Sequence, residues 1–161
     1  MTINWILFVC GASVIACGLV SGVFLAFSDF VMKSLVTASP MSGIEAMQII
    51  NRKVYGSVFL TLFMGMAPVS LLMAGYAYFR VSGPAQAWII IGAVLYLIGA
   101  FLVTMVFNVP MNQRLDAMDL SAPETVAYWA KYARHWTFWN HVRTLASVGA
   151  TLCFLVGCVL L

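Results

Sequence analysis

The sequence predicts an all-α protein: a four-helix transmembrane bundle with short interfacial helices, built as one membrane domain over residues 1–161. Three observations predict it. Long apolar runs fill most of the chain, at Trp5–Phe27, Val54–Phe79, Ala87–Phe107 and Thr144–Leu161, the last opening through a polar turn from residue 140. Each is about as long as a helix must be to cross a hydrocarbon core ~30 Å thick at ~1.5 Å per residue. Lipid gives the backbone no hydrogen-bond partners, and a helix satisfies its own. The chain is also 63% hydrophobic and only 8% charged, with mean hydropathy +1.00, whereas a soluble domain carries about 25% charged residues. Finally, the connections are short, so these 161 residues leave no room for a soluble catalytic domain. The net charge of +3 is not gathered into a basic block, which excludes nucleic acid as a partner and leaves membrane lipids.

Span one begins without Lys or Arg and stays apolar past the small residues Gly11-Ala12-Ser13 and Ala16-Cys17-Gly18, so it reads as a retained span rather than a secretory signal. It closes on Ser28, Asp29 and Lys33. After the Ser39-Pro40 break, Ser42-Gly43-Ile44-Glu45 reads as a capping box. The helix it opens sets Ile44, Met47, Ile50 and Val54 on one face, with Glu45, Gln48 and Arg52 mostly on the other, as an interfacial helix would. Span two holds Pro68, which removes a backbone bond and bends it, and ends on Tyr76, Tyr78 and Arg80. Ser82-Gly83-Pro84 turns the chain tightly into span three. That span closes at Asn108-Val109-Pro110-Met111-Asn112, where Pro110 is expected to end or kink it. Ser121-Ala122-Pro123-Glu124 reads as a second capping box, opening a helix that can flow into span four.

Basic residues set the expected orientation. Lys33, Arg52, Lys53, Arg114, Lys131, Arg134 and Arg143 fall in the two longer connections or at the mouth of span four, against Arg80 alone on the other side. The longer connections are therefore expected in the cytoplasm of a bacterial-type inner membrane, with both termini outside. Gly11, Gly18, Ser21 and Gly22 thin one side of span one, and Gly92 and Gly99 thin span three, a pattern that favours close packing within the bundle and leaves homo-oligomers open. Cys10, Cys17, Cys153 and Cys158 lie in spans one and four without Cys-x-x-Cys spacing. They read either as small packing residues or as partners across two adjacent antiparallel helices.

The polar residues are concentrated. Asp29 and Lys33 close span one, Asn51, Arg52 and Tyr55 open span two, Asn108 and Asn112 close span three, and Asn140, His141, Arg143 and Thr144 open span four. Alternating helix directions bring all four groups to one end. Two readings stand: side chains facing headgroups and water, or a convergent polar pocket. In the second, Asp29 and Arg143 are each other's expected partner. Trp129, Tyr132, Trp136, Trp139 and Arg143 recur at three- and four-residue steps, either as an aromatic belt or as one wall of a pocket for a flat aromatic ligand. His135 and His141 are six apart and share no helix face, so no metal site is expected. His141, beside Asn140 and Arg143, is the better placed proton acceptor.

Asn108-x-Pro110-x-Asn112, followed by Trp136-x-x-Trp139-Asn140-x-x-Arg143, together with the Gly18–Phe27 segment and its closing Asp29, resembles the small four-helix membrane family that includes the anthrone oxygenases. The resemblance covers essentially the whole chain. It implies oxidation of an anthrone-like or quinol-like aromatic by O₂ as co-substrate, with no metal or flavin cofactor. Such chemistry requires a base, donors to an enolate oxygen and a dry aromatic slot. On this reading His141 or Asp29 is the base, Asn108, Asn112, Asn140 and Arg143 are donors, and Trp136 and Trp139 form the slot. Two other readings remain: a non-enzymatic membrane protein that binds a lipid or quinone or supports a complex, and, less supported, a small transporter.

Overall fold

The structure, a computed structural model, describes residues 5–161. Among the described residues there are helices and connections and no strand. Helix α1 covers Trp5–Thr37, α2 Pro40–Lys53, α3 Val58–Arg80, α4 Pro84–Asp116 and α5 Pro123–Leu160. All but α2 are long and apolar enough to cross a membrane. The chain is a multi-pass membrane protein. In the bundle α1 packs on α3, α3 on α4, α4 on α5, and α5 back on α1, which closes a square. Each helix is antiparallel to its sequence neighbour in that square, so the polar segments do gather at one end, the site end. Helix α5 has 38 residues, about 57 Å at ~1.5 Å each, and extends past the apolar layer on that side.

Several local expectations change. Neither span one nor span three stops where its apolar run stops. Helix α1 continues to Thr37 through a π-helical stretch at Phe27–Val31. Helix α4 continues to Asp116 through π stretches at Leu95–Leu102 and Thr104–Asn108. Pro110 therefore does not end span three. Its ring clashes with the carbonyl four residues back and it offers no N–H. The wider π turn before it, closed by the Val109 N–H on the Thr104 carbonyl, absorbs both defects. Pro68 likewise sits inside α3 without ending it.

Neither capping box forms as expected. Ser39 is the cap of α2: its hydroxyl accepts the Ser42 N–H at 3.3 Å, and Pro40 takes the first helical turn, where a missing N–H costs nothing. Before α5 the cap is Ala122, which has no side-chain acceptor. Asp119 takes over, accepting the Ser121 N–H and hydroxyl at 2.9 Å each, while its carbonyl accepts the Thr125 hydroxyl. These bonds hold the Asp119 carboxyl below its ordinary range, the Ser121 backbone N–H contributing most.

Helix α2 does not simply float in the interface. Ile44 and Met47 are fully buried against Leu115, Trp129, Tyr132 and Trp136. Gln48, expected on the polar face, is buried too, and its amide donates to the carbonyls of Leu115 and Met118 at 2.8 and 3.0 Å. The helix is a lid seated on the ends of α4 and α5.

At the opposite end, Gly83 at φ 82° makes the turn between α3 and α4, a conformation an L side chain rarely adopts. Gly92 lies against Cys153 and Phe154, Gly99 against Ala146, and Gly157 against Ile89, so α4 and α5 approach closely. Gly18 faces α5 near Thr151, whereas Gly11 and Gly22 meet nothing. The cysteines are free: Cys10, Cys17 and Cys153 are buried and Cys158 is partly buried. The packing reading describes them here. Cys10 gives its thiol to the Phe154 carbonyl at 3.1 Å across the α1–α5 seam.

Candidate functional site

Two polar series meet inside the site end. On α4, Thr104, Asn108, Asn112 and Asp116 recur every four residues and share one face. On α5, Trp129, Tyr132, Trp136, Asn140 and Arg143 recur at three and four. All five α5 residues are buried. Asn112 joins the series: its Oδ1 accepts the Tyr132 hydroxyl at 2.9 Å and the Trp136 indole N–H at 2.8 Å. Asn108 is fully buried and donates to the Trp136 carbonyl at 3.3 Å.

Asn140 is the keystone between α1 and α5. Its amide nitrogen donates to the Phe24 carbonyl and the Ser28 hydroxyl, each at 2.7 Å. Its oxygen accepts from Arg143 Nη2 at 2.6 Å. Ser28 in turn contacts the Thr144 hydroxyl at 3.2 Å.

Arg143 is only 5% exposed. Besides Asn140 it reaches Thr104 Oγ1 at a long 3.4 Å, and its Nε has no partner. Its guanidinium lies over the Phe24 ring at 4.4 Å and the Trp136 ring at 5.0 Å. Aromatic faces compensate part of a cation's lost hydration. Neither ion pair found among the described residues includes it. A charge this deep and unpaired is expensive, ~3 kcal/mol or more at a bilayer centre.

A cavity of about 490 Å³ opens beside it, between α1, α2, α3, α4 and α5. Phe24, Phe27, Phe59, Phe63 and Trp136 make its apolar wall. Arg143, Thr104, Asn51, Asn112 and Asp116 make its polar one. Its size suits a flat organic molecule of a few rings. Asn51 is buried and its Nδ2, like Arg143 Nε, lacks a partner. Both unsatisfied groups on this wall are donors, so the wall calls for an acceptor oxygen. Asp116 is the one carboxylate among the lining residues and is bridged by Arg52 Nε at 2.6 Å.

A family model described as anthrone oxygenase matches residues 53–153. The chain belongs to the anthrone oxygenase family. No curated protein and no solved structure matches it. The matched segment of this anthrone oxygenase family member holds the α4 and α5 series, Asp116 and Arg143, while Phe24 and Asn51 lie before it.

The residues picked out in the sequence separate into three groups. Arg143, Asn112 and Trp136 line the cavity. Asn108 and Asn140 converge on the same end but are fully buried behind its wall, holding α5 in place. Asp29, His141 and Trp139 point elsewhere. Asp29 is exposed, 3.9 Å from Lys33, and does not meet Arg143. The expected Asp29–Arg143 pair is thus absent, because residue 29 falls on the outer face of the α1 π turn. His141 is exposed on the far side of α5. It follows Asn140 by one residue, about 100° around the helix. Trp139 precedes Asn140 by one and stacks on Phe107 at 3.6 Å instead. The aromatic face therefore runs through Trp129, Tyr132 and Trp136, without Trp139. Among the described residues, no three His, Cys, Asp or Glu side chains come together as a metal site requires.

Thr104 and Asp116 were not among the residues expected to form the site, and Asn51 was expected only as one of the polar group opening span two, with no role of its own. The signal for Thr104 and Asp116 was present: extending the Asn108–Asn112 spacing by one turn each way reaches both.

Proposed function

We propose that this protein oxidises a flat, hydrophobic aromatic of the anthrone or quinol class with O₂, in the cavity beside Arg143. The observation that carries this is a buried guanidinium with a free Nε, facing an aromatic-walled cavity and lacking an acidic partner. That arrangement fits an oxygen that becomes negative during reaction. An anthrone is a carbon acid. Loss of a methylene proton leaves an enolate, whose oxygen Arg143 and Asn51 are suited to bind. The electron-rich anion passes one electron to O₂, and the two radicals join to form a carbon–oxygen bond. Loss of water from the resulting hydroperoxide yields the quinone. One atom of O₂ becomes the new carbonyl and the other leaves as water. Asp116, at the polar mouth, is the proton acceptor on this reading, in place of His141 or Asp29. Trp136, Phe24 and Phe27 supply the slot, and Asn112 fixes the Trp136 indole.

The test is O₂ uptake by purified protein supplied with anthrone. Consumption above that of empty detergent, lost in Arg143→Leu, supports the proposal; equal rates in all three samples remove it. A second reading, quinone binding without turnover, draws support from Asp116 being held by Arg52 rather than free. It predicts a retained quinone and no O₂ uptake. The six exposed cations at the site end, Lys33, Arg52, Lys53, Arg114, Lys131 and Arg134, favour a cytoplasmic position for that end even with Arg143 set aside.

A further inference from the structure

A second depression lies on the outside of the bundle, in the seam between α1 and α5 at the site end. It has a volume of about 600 Å³ and is separate from the cavity beside Arg143. Lys33 on α1 and Arg134 on α5 flank it, Thr37 and Thr137 add hydroxyls, and His141 sits at its deeper edge. No acidic side chain lines it. Asp29 lies outside it, in an exposed contact with Lys33 at 3.9 Å with side chains 70% and 75% exposed. Such a pair contributes little and is readily exchanged for a stronger anion. Lys131 and His135 stand on the adjoining surface of α5, His135 Nδ1 at 2.8 Å from the Lys131 carbonyl.

The level of this groove matters. It sits where the apolar run of span one gives way to Ser28, Asp29 and Lys33, the depth of lipid headgroups. Phe30 and Phe138 are exposed around it, and Leu25 and Leu145 are exposed farther into the apolar layer. Two cations from different helices thus stand above an apolar track on the lipid-facing surface. A free anion would use the cations and leave the track bare. A zwitterionic lipid would bring its own positive charge against them.

We infer that this groove is a binding site for one anionic glycerophospholipid, its phosphate held between Lys33 and Arg134 and an acyl chain laid along Leu25 and Leu145. Bound there, the lipid clamps α1 to α5 over the outer side of the seam that the Asn140–Ser28 bond closes from within.

The test uses full-length protein stripped of lipid in neutral detergent and scored by its thermal unfolding midpoint. Phosphatidylglycerol is expected to raise the midpoint in a saturable way, whereas phosphatidylcholine and inorganic phosphate are not. Lys33→Ala with Arg134→Ala should weaken the apparent phosphatidylglycerol affinity roughly thirtyfold, at about 1 kcal/mol per surface cation. Arg80→Ala, at the other end of the bundle, should leave it unchanged. Native mass spectrometry of the wild type should retain phosphatidylglycerol in preference to phosphatidylcholine. Equal shifts with the two lipids, full response in the double variant, or the same shift with phosphate alone would each overturn the inference.

Discussion

The two ends of the bundle are built from the same four long helices by opposite rules. At the Gly83 end, small residues let α4 and α5 close on each other: Gly92 under Phe154, Gly157 under Ile89, with Ala93, Ala150 and Cys10 buried beside them. This end is close-packed. At the site end, π turns in α1 and α4 and large aromatics on α5 hold the helices around a cavity. Its buried polar atoms are only partly satisfied. Without water to drive helix association in lipid, packing contacts must hold the bundle together, and the Gly83 end provides them. That lets the site end carry an unpaired arginine. Close packing and the candidate site are thus divided along the membrane normal, not between faces of the bundle.

Substitutions can break this division. Arg143→Leu has the largest expected effect: O₂ uptake with anthrone falls by at least about a hundredfold, while thermal stability holds or rises, since a buried charge without an acidic partner is removed. Gly157→Leu should do the reverse. A Cβ at that position would stand 2.8 Å from Ile89 Cγ1, so the substitution is expected to cost about 1–3 kcal/mol of stability, with turnover per folded molecule kept. Asn140→Ala should couple the two, losing about 1–3 kcal/mol by stranding the polar groups it satisfies and lowering turnover because Arg143 loses its 2.6 Å acceptor. Both are read by unfolding midpoint and rate on the same samples.

The smallest effect belongs to Asp119. Its folded carboxyl titrates below its unfolded value, so its contribution is present above the unfolded pKa and is lost as pH falls through the folded one. Asp119→Asn should therefore match wild type in acid and be slightly less stable near neutrality, as an unfolding series across pH would show.

How much of this was legible in the sequence follows from the physics of each signal. Span number, the Gly83 turn and the uninterrupted α5 were legible because lipid imposes length and apolarity on whole segments. Arg143, Asn112 and Trp136 were legible because their spacing is helical. His141 and Trp139 lie outside the cavity by a single step around the helix: they flank Asn140 in sequence and so point away from it. The extension of α4 past Pro110 was hidden because its remedy, a π turn, leaves no local residue signature. Asn51 was legible as one of the converging polar residues, but its burial was not, because that depends on α2 folding back as a lid, a tertiary event.

On the proposed function, the Arg143 guanidinium, and not an outward-facing acid, supports turnover. The most direct test is steady-state O₂ uptake with anthrone for wild type, Arg143→Leu and Asp29→Asn, reconstituted side by side. Equal rates are expected for wild type and Asp29→Asn, and a rate at the empty-vesicle background for Arg143→Leu. An Arg143→Leu protein as active as wild type would contradict it.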